Sequence, residues 1–153
     1  MSEQSAALSK QQLETLRALA AAIIPASAAY QVPGADDPEI FARVAAAAGA
    51  LGALAQDGLA ALEAESQKRQ GSDFAALDAD AGAALAQGLD GDPGAFVERI
   101  ASLTVQCYYS DPRVMAALGM PPRPPFPKGF EVEPGDLSLL DPVKQRAKIY
   151  REV

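Results

Sequence analysis

Most of the residues of this sequence that could act as acids, bases or cation ligands are carboxylates. Three close pairs occur along the chain: Asp36/Asp37, Asp78/Asp80 and Asp90/Asp92. General acid–base work requires a pocket that shifts the pKa of such a group. Each pair instead lies in a turn or beside the start of an apolar helical pattern, where a carboxylate ordinarily caps the helix. We therefore predict capping roles for all three pairs.

The chain has 153 residues, no His and a single Cys, and these counts exclude several kinds of site. Without His there is no Ser-His-Asp triad, no Cys-His pair and no His-ligated zinc or iron. One thiol makes neither an internal disulfide nor a Cys-x-x-Cys motif, and we predict a small apolar packing role for Cys107. No glycine-rich phosphate-binding loop occurs. We expect no catalytic, cofactor-binding or metal-ligating residue in this chain.

Charge and proline are distributed unevenly along the sequence. The net charge is −7: residues 1–112 hold 6 basic and 15 acidic groups, whereas residues 113–153 hold 7 basic and 5 acidic groups. Eight of the 12 prolines lie at or after Pro112. The negative net charge disfavours nucleic-acid binding. No apolar run approaches the roughly 18 residues that a membrane span needs, so we expect none.

Helical periodicity dominates the first part of the chain and favours an all-α fold. Ser9 and Gln12 fit a capping box before the first helical pattern. Asp37 followed by Pro38 starts the second helical pattern, which is either one long bent helix or two helices in succession. Gly49, Gly52 and Gly58 in this second pattern permit close approach of a neighbouring helix. The predicted helices cover residues 10–24, 38–69, 73–87 (ending at Gly88), from the cap Asp92 to about Cys107, and 112–118.

We predict a small bundle of four to five helices over residues 1–119, followed by an extended proline-rich tail over residues 120–153. Successive prolines from Pro121 to Pro127 remove backbone donors and favour polyproline conformation. Residues 143–151 could form one or two basic helical turns. The tail carries too many large apolar groups for a plain linker, so we predict that it wraps a partner protein; its own bundle is the alternative.

A second candidate contact surface is the corner where the fourth predicted helix ends and where Asp111, before Pro112, can cap the next helix. It is either a well-packed turn between two helices or a partner-binding surface, because Tyr and Arg are enriched at interfaces. The predicted partner-binding residues of the corner and tail are Tyr108, Tyr109, Asp111, Pro112, Arg113, Arg123, Phe126, Pro127, Lys128, Phe130, Leu139 and Leu140.

Short sequence runs resemble the gluconate 2-dehydrogenase subunit 3 family over most of the chain. In order, they are Leu16-Arg17-Ala18-Leu19, Ala22-Ile23-Ile24-Pro25-Ala26, Val32-Pro33-Gly34-Ala35, Phe74-Ala75-Ala76-Leu77, Tyr108-Tyr109-Ser110-Asp111-Pro112, Leu118-Gly119, Pro124-Pro125-Phe126-Pro127-Lys128-Gly129-Phe130 and Asp136-Leu137-Ser138-Leu139-Leu140-Asp141-Pro142. The last two are similar to the branch that is paired with sugar or glucoside 3-dehydrogenases.

The resemblance implies a non-catalytic small subunit with a large partner. That partner is expected to be an FAD-dependent flavoprotein of the glucose-methanol-choline oxidoreductase class, holding both the FAD and the catalytic His. The small subunit supports the folding, stability and sometimes the export of the large one. Many family members begin with a twin-arginine signal, which this sequence lacks. We expect a cytoplasmic complex, or a periplasmic one if the partner carries it out or if an export signal has been removed.

Two other classes of function remain open at this point. One is a stand-alone enzyme with a carboxylate site, using an oxygen-ligated metal. The other is a homo-oligomeric helical structural protein. The first predicts activity or metal binding by the isolated chain, and the second predicts a defined homo-oligomer that ignores a flavoprotein.

Overall fold

The computed structural model describes residues 7–124, 126–129 and 133–147. The chain forms two compact units, Met1–Pro122 and Arg123–Val153. Across the described residues the regular backbone is helical; extended pairing is limited to one isolated bridge, between Ser27 and Val32. The predicted all-α class is confirmed.

The first unit is a bundle of six α-helices in its described part. They are α1 (Lys10–Ile23), α2 (Pro38–Gly49), α3 (Ala53–Gln70), α4 (Ala79–Gln87), α5 (Gly91–Tyr109) and α6 (Pro112–Ala117), with a 3₁₀ turn (Phe74–Ala76) between α3 and α4. In the second unit a 3₁₀ turn (Leu137–Leu140) leads directly into the four-residue α7 (Asp141–Lys144).

Local capping chemistry sets several of the helix starts. The Ser9 hydroxyl accepts from the Gln12 amide (3.2 Å) and the Gln12 side chain accepts from the Ser9 amide (2.9 Å), which is the predicted capping box. The Asp37 carboxylate caps α2, Asp78 caps α4 and Asp111 caps α6. The capping roles predicted for Asp37 and Asp78 are confirmed.

The long second pattern forms two helices, because the chain turns by 111° at the break between α2 and α3. Gly52 stands at this break with a φ of +58°, a conformation that glycine adopts at little cost. Gly58, within α3, is the site of close approach: a Cβ placed there would overlap the Phe96 ring on α5. A Cβ placed at Gly49 would meet nothing within 4 Å. The predicted close packing therefore holds at Gly58 but not at Gly49 or Gly52.

Two predicted helix starts are wrong. The third helix does not begin at residue 73, since Phe74–Ala76 forms a 3₁₀ turn and the helix starts only after the cap at Asp78. The fourth does not begin at Asp92, because Gly91 is already helical, the N-cap position is Asp90, and Asp92 lies in the first turn. Asp90 makes no side-chain capping bond, so the capping role predicted for this pair is also wrong.

Helix α5 lies at the centre of the bundle and contacts each of the other five helices. Its inner face enters both apolar clusters of the core. The larger cluster is built around Leu16, Leu19, Leu59, Leu62, Phe74, Phe96 and Ile100. The smaller cluster contains Ala20, Ala35, Ile40, Val44, Tyr108 and Val114. The second cluster joins α2, the end of α5 and α6, so it supports the corner that was singled out from the sequence.

Among the described helices, no single one has the length and apolar character needed to cross a membrane. Helices α2 and α3 meet that measure only when taken together across their bend.

Candidate functional site

The candidate corner begins where α5 ends at Tyr109. Ser110 follows as the C-cap residue, and its hydroxyl donates to the Cys107 carbonyl at 2.8 Å. The next residue, Asp111, is the N-cap of α6, and Pro112 stands at the first helical position. A single residue therefore separates the α5 terminus from the cap of α6, which makes the corner tight.

The Asp111 carboxylate is buried, with 1% of the residue exposed, and is held by four donors. Oδ1 accepts from the Arg113 amide (2.9 Å) and from Arg113 Nε (3.0 Å). Oδ2 accepts from Arg113 Nη2 (3.1 Å) and from Arg43 Nη2 on α2 (2.7 Å). Hydrogen bonds from Arg113, and then from Arg43, hold the pKa of Asp111 far below its usual range although burial opposes them. The carboxylate is thus a fixed buried anion.

Arg113 reaches from this carboxylate to the start of α2. Its Nη2 donates to Asp37 Oδ1 at 2.7 Å and its Nη1 donates to Asp37 Oδ2 at 3.3 Å, while Glu39 lies 3.5 Å away. The same Asp37 carboxylate caps α2, and its hydrogen bond with Arg113 lowers its pKa. One guanidinium therefore joins the N-caps of two helices. We refer to Asp37, Arg43, Asp111 and Arg113 as the cap-bridging network.

Tyr108 and Tyr109 occupy opposite environments on the last turn of α5. Tyr108 is buried, and its hydroxyl donates to the Pro33 carbonyl at 2.9 Å. Burial, with smaller effects from Tyr109 and Asp111, raises the pKa of Tyr108, so the phenol remains a neutral donor. Tyr109 is 51% exposed and packs edge-on against Tyr108, with ring centroids 5.2 Å apart and planes at 87°. One tyrosine is an internal tie and the other is presented to solvent.

The structure therefore brings the five predicted corner residues together and divides them into two groups. Tyr108 and Asp111 are buried and bonded inside the bundle. Tyr109, Pro112 and Arg113 are exposed. The well-packed turn and the accessible surface are two sides of the same corner. Partner binding by these residues stays a prediction.

The predicted tail residues lie in the second unit. Phe126 is 84% exposed, and Pro127, Lys128, Leu139 and Leu140 are exposed as well. Phe130 lies outside the described residues. The predicted basic turns over residues 143–151 overlap the end of α7, and residues 148–151 of them also fall outside the described part.

Arg123 is bonded within its own unit. Its guanidinium donates to the Gly129 carbonyl at 2.7 Å and to the Pro124 carbonyl at 3.3 Å.

Sequence reasoning missed Arg43 as a member of the corner. It lies on α2, 68 positions before the carboxylate that it binds. No local motif marks it, because a lone arginine on an amphipathic helix has the appearance of an ordinary solvated residue. Only the packing of α2 against α5 brings it to Asp111. A correlation between positions 43 and 111 across related sequences is the signal that would reveal it.

The remaining titratable groups do not assemble into a reactive centre in the described part of the chain. No group of three or more His, Cys, Asp or Glu residues there could hold a metal ion. Burial raises the pKa of the Cys107 thiol, which disfavours the nucleophilic thiolate. An open cleft of about 610 Å³ between α1 and α3 contains Glu63. That carboxylate accepts from the Thr15 hydroxyl (3.2 Å) and from the Phe74 amide (3.3 Å).

The helical bundle and its corner match a known protein family. The family model described as gluconate 2-dehydrogenase subunit 3 matches residues 10–120, which cover α1 to α6 and the whole corner. The chain belongs to this family. The predicted family is confirmed over the runs from Leu16 to Gly119, and it is that of an accessory subunit in a dehydrogenase complex; the two runs after residue 120 lie outside the match. Comparisons with curated proteins and with solved structures gave no match.

Proposed function

We propose that this chain is the non-catalytic small subunit of a dehydrogenase complex, and that it binds and stabilises a large FAD-dependent flavoprotein. The partner is of the glucose-methanol-choline class and acts on sugars or glycosides. It holds the FAD and the catalytic residues, while this chain holds no cofactor. The observation that carries the proposal is the family match over residues 10–120.

The use of the carboxylates in the bundle supports a binding role rather than catalysis. Asp37, Asp78 and Asp111 cap helices, and Glu63 ties the 3₁₀ turn to α1 and α3. A catalytic acid or base needs access to a substrate proton as well as a tuned pKa. These carboxylates instead use their hydrogen bonds to stabilise the bundle.

The exposed aromatic and basic groups supply the contacts that such a subunit needs. Tyr109 and Phe126 carry large rings; about half of the surface of Tyr109 and most of the surface of Phe126 is accessible. Tyr and Arg are, with Trp, enriched among the residues that dominate binding energy at interfaces. We propose that the aromatic and leucine side chains anchor the contact and that Lys128 faces acidic groups on the flavoprotein.

Co-expression tests this function directly. The tagged chain is produced together with the flavoprotein encoded in the adjacent reading frame, and the complex is isolated through the tag and by gel filtration. We expect one peak that contains both chains and shows flavin absorbance. We also expect the flavoprotein alone to give less soluble, less flavin-loaded material.

Two results would contradict the proposal. One is dehydrogenase or metal-dependent activity of the purified 16 kDa chain by itself, which favours a stand-alone enzyme. The other is a defined homo-oligomer in light scattering that does not retain the flavoprotein. For the compartment we propose the cytoplasm, or the periplasm if the flavoprotein is exported; fractionation of cells carrying the tagged chain tests this.

A further inference from the structure

Tyr109 is a half-exposed aromatic residue that lies between two residues held by hydrogen bonds, Tyr108 and Asp111. The preceding residue, Tyr108, is buried and tied through its hydroxyl to the Pro33 carbonyl. Two positions later, the Asp111 carboxylate is held by Arg43 and Arg113. The Asp111 amide also donates to the Tyr108 carbonyl at 3.0 Å, which closes the turn between them. The backbone that carries the Tyr109 ring is therefore restrained at each end.

The ring itself has a defined support. It meets the Tyr108 ring edge-on at 5.2 Å, an arrangement that aromatic pairs favour. Tyrosine buries a large area through only two rotatable side-chain bonds, so ordering it on binding costs little conformational entropy. A side chain already held in position loses still less, and the saved entropy increases affinity.

We propose that Tyr109 is a pre-organised anchor for the large subunit, and that Arg43 is a positioning residue that acts on Tyr109 through Asp111. This inference rests on the function proposed above. The matching site on the flavoprotein is a pocket with apolar walls for the ring and a hydrogen-bonding group for the phenol hydroxyl, which both donates and accepts.

Arg43 is the member of the cap-bridging network whose role can be tested separately from helix capping. Its removal leaves the Arg113 amide bonded to Asp111, so the cap of α6 remains. It also leaves the bidentate pair between Arg113 and Asp37 intact. What is lost is the direct hydrogen bond from the body of α2 to the Asp111 carboxylate, in the turn that follows Tyr109. Arg43→Ala therefore loosens the support of the anchor without removing either cap.

A double-mutant cycle measures whether Arg43 acts through Tyr109. The dissociation constant for the purified flavoprotein subunit is determined for the full chain and for Tyr109→Ala, Arg43→Ala and the double variant. We expect affinity to fall about 30-fold for Tyr109→Ala, as for an interface hot spot. We expect a loss of about tenfold for Arg43→Ala, and no further loss in the double variant beyond Tyr109→Ala alone.

Arg69→Ala is the matched control, because it removes an arginine ion pair (Arg69 with Glu65, 2.8 Å) and a bond to the Gly88 carbonyl away from the corner. It should bind the flavoprotein as the unchanged chain does. Arg43→Lys keeps the positive charge and should recover part of the affinity. Circular dichroism at the binding temperature verifies that each variant is folded. If Arg43→Ala does not fold, Arg43→Lys replaces it as the test variant.

The outcomes separate this inference from the function on which it rests. If the unchanged chain does not bind the flavoprotein, the proposed function itself fails. If the unchanged chain binds but Tyr109→Ala binds equally well, only the anchor is overturned. If the effects of Arg43→Ala and Tyr109→Ala add in the double variant, or Arg43→Ala matches Arg69→Ala, the positioning role of Arg43 is overturned.

Discussion

Asp111 is an anion with almost no access to water, and such a group is stable only when its partners are in place. Breaking a buried ion pair by removing one member costs more than the pair gains relative to apolar residues. Asp111 differs from the other capping carboxylates in this respect, because it combines a capping bond with two arginine partners. Single substitutions can therefore separate the two contributions.

Asp111→Ala should lower the free energy of unfolding by about 3 kcal/mol, since it removes the cap and leaves Arg43 and Arg113 without their shared carboxylate. Urea unfolding followed by circular dichroism measures the change. Asp78→Ala is the control: it removes a cap from α4 that has no ion pair, and should cost only about 1 kcal/mol. Equal losses for the two variants would show that the arginine pairs contribute nothing.

The depressed pKa of Asp111 predicts acid sensitivity. An aspartate has a pKa near 3.9 when unfolded, and in the folded chain that of Asp111 is far lower because of Arg113 and Arg43. The stabilisation is therefore complete above about pH 5 and is lost progressively as the pH falls toward the folded value. Asp37, whose pKa is also lowered, acts in the same direction.

The measurement for this prediction is the free energy of unfolding between pH 7 and pH 2 for the unchanged chain and for Asp111→Asn. The variant should start lower and decline less steeply with acid. Parallel curves would contradict the assignment of the acid sensitivity to Asp111.

At the scale of elements, the parts that the sequence predicted well are those determined by neighbouring residues. Ser9 with Gln12, Asp37 with Pro38 and Asp111 with Pro112 act over one to three positions, and each marks a helix start in the structure. The wrong starts occur where local signals compete. Phe74 and Leu77 fit a helical period as well as a 3₁₀ turn, and the bonds from the Phe74 amide to the distant Glu63 carboxylate support the latter.

The candidate site was predictable only in its contiguous part. Residues Tyr108 to Arg113 were found because two tyrosines, a capping carboxylate and an arginine stand together in the sequence. The division between buried Tyr108 and exposed Tyr109 depends on the packing of α5 against α2, which periodicity alone leaves ambiguous at a helix end. Arg43 depends wholly on that packing.

The contact between α3 and α5 leads to a prediction about Gly58. In an exposed helix, glycine to alanine gains about 1 kcal/mol. At Gly58 the added methyl would overlap the Phe96 ring, and overpacking of this kind costs about 1–3 kcal/mol. Gly58→Ala should therefore lower the melting temperature. Gly49→Ala, which meets open space, should leave it unchanged or raise it slightly; a melting temperature raised by both variants would contradict the close contact.

At the scale of the whole molecule, charge is segregated along the chain. The helical bundle carries the acidic excess, and the residues from Arg113 onward carry the basic excess. Burial follows a related division, because the second unit has no buried residue in its described part. Large apolar groups such as Phe126, Leu137 and Leu139 are instead accessible there. We predict from these features that the second unit completes its burial against another protein.

Phe126→Ala should weaken binding of the flavoprotein about tenfold or more while leaving the stability of the isolated chain unchanged. The ring is 84% exposed, so its removal creates no cavity. Tyr30→Ala is the control, since this ring is 76% exposed but lies outside the predicted contact set. Pull-down yield and the melting temperature are compared for the two variants. Equal binding by both would exclude Phe126 as an anchor.

The guanidinium of Arg113 has a consequence for how the bundle opens. Helix α6 has only six residues, and a helix of that length has little stability of its own. Because one side chain is shared by the first turns of α2 and α6, neither turn can fray without breaking the same ion pairs. The first turns of α2 and α6 therefore open as one cooperative unit. The amide protons at the start of α6 are thus expected to exchange with solvent as slowly as those at the start of α2.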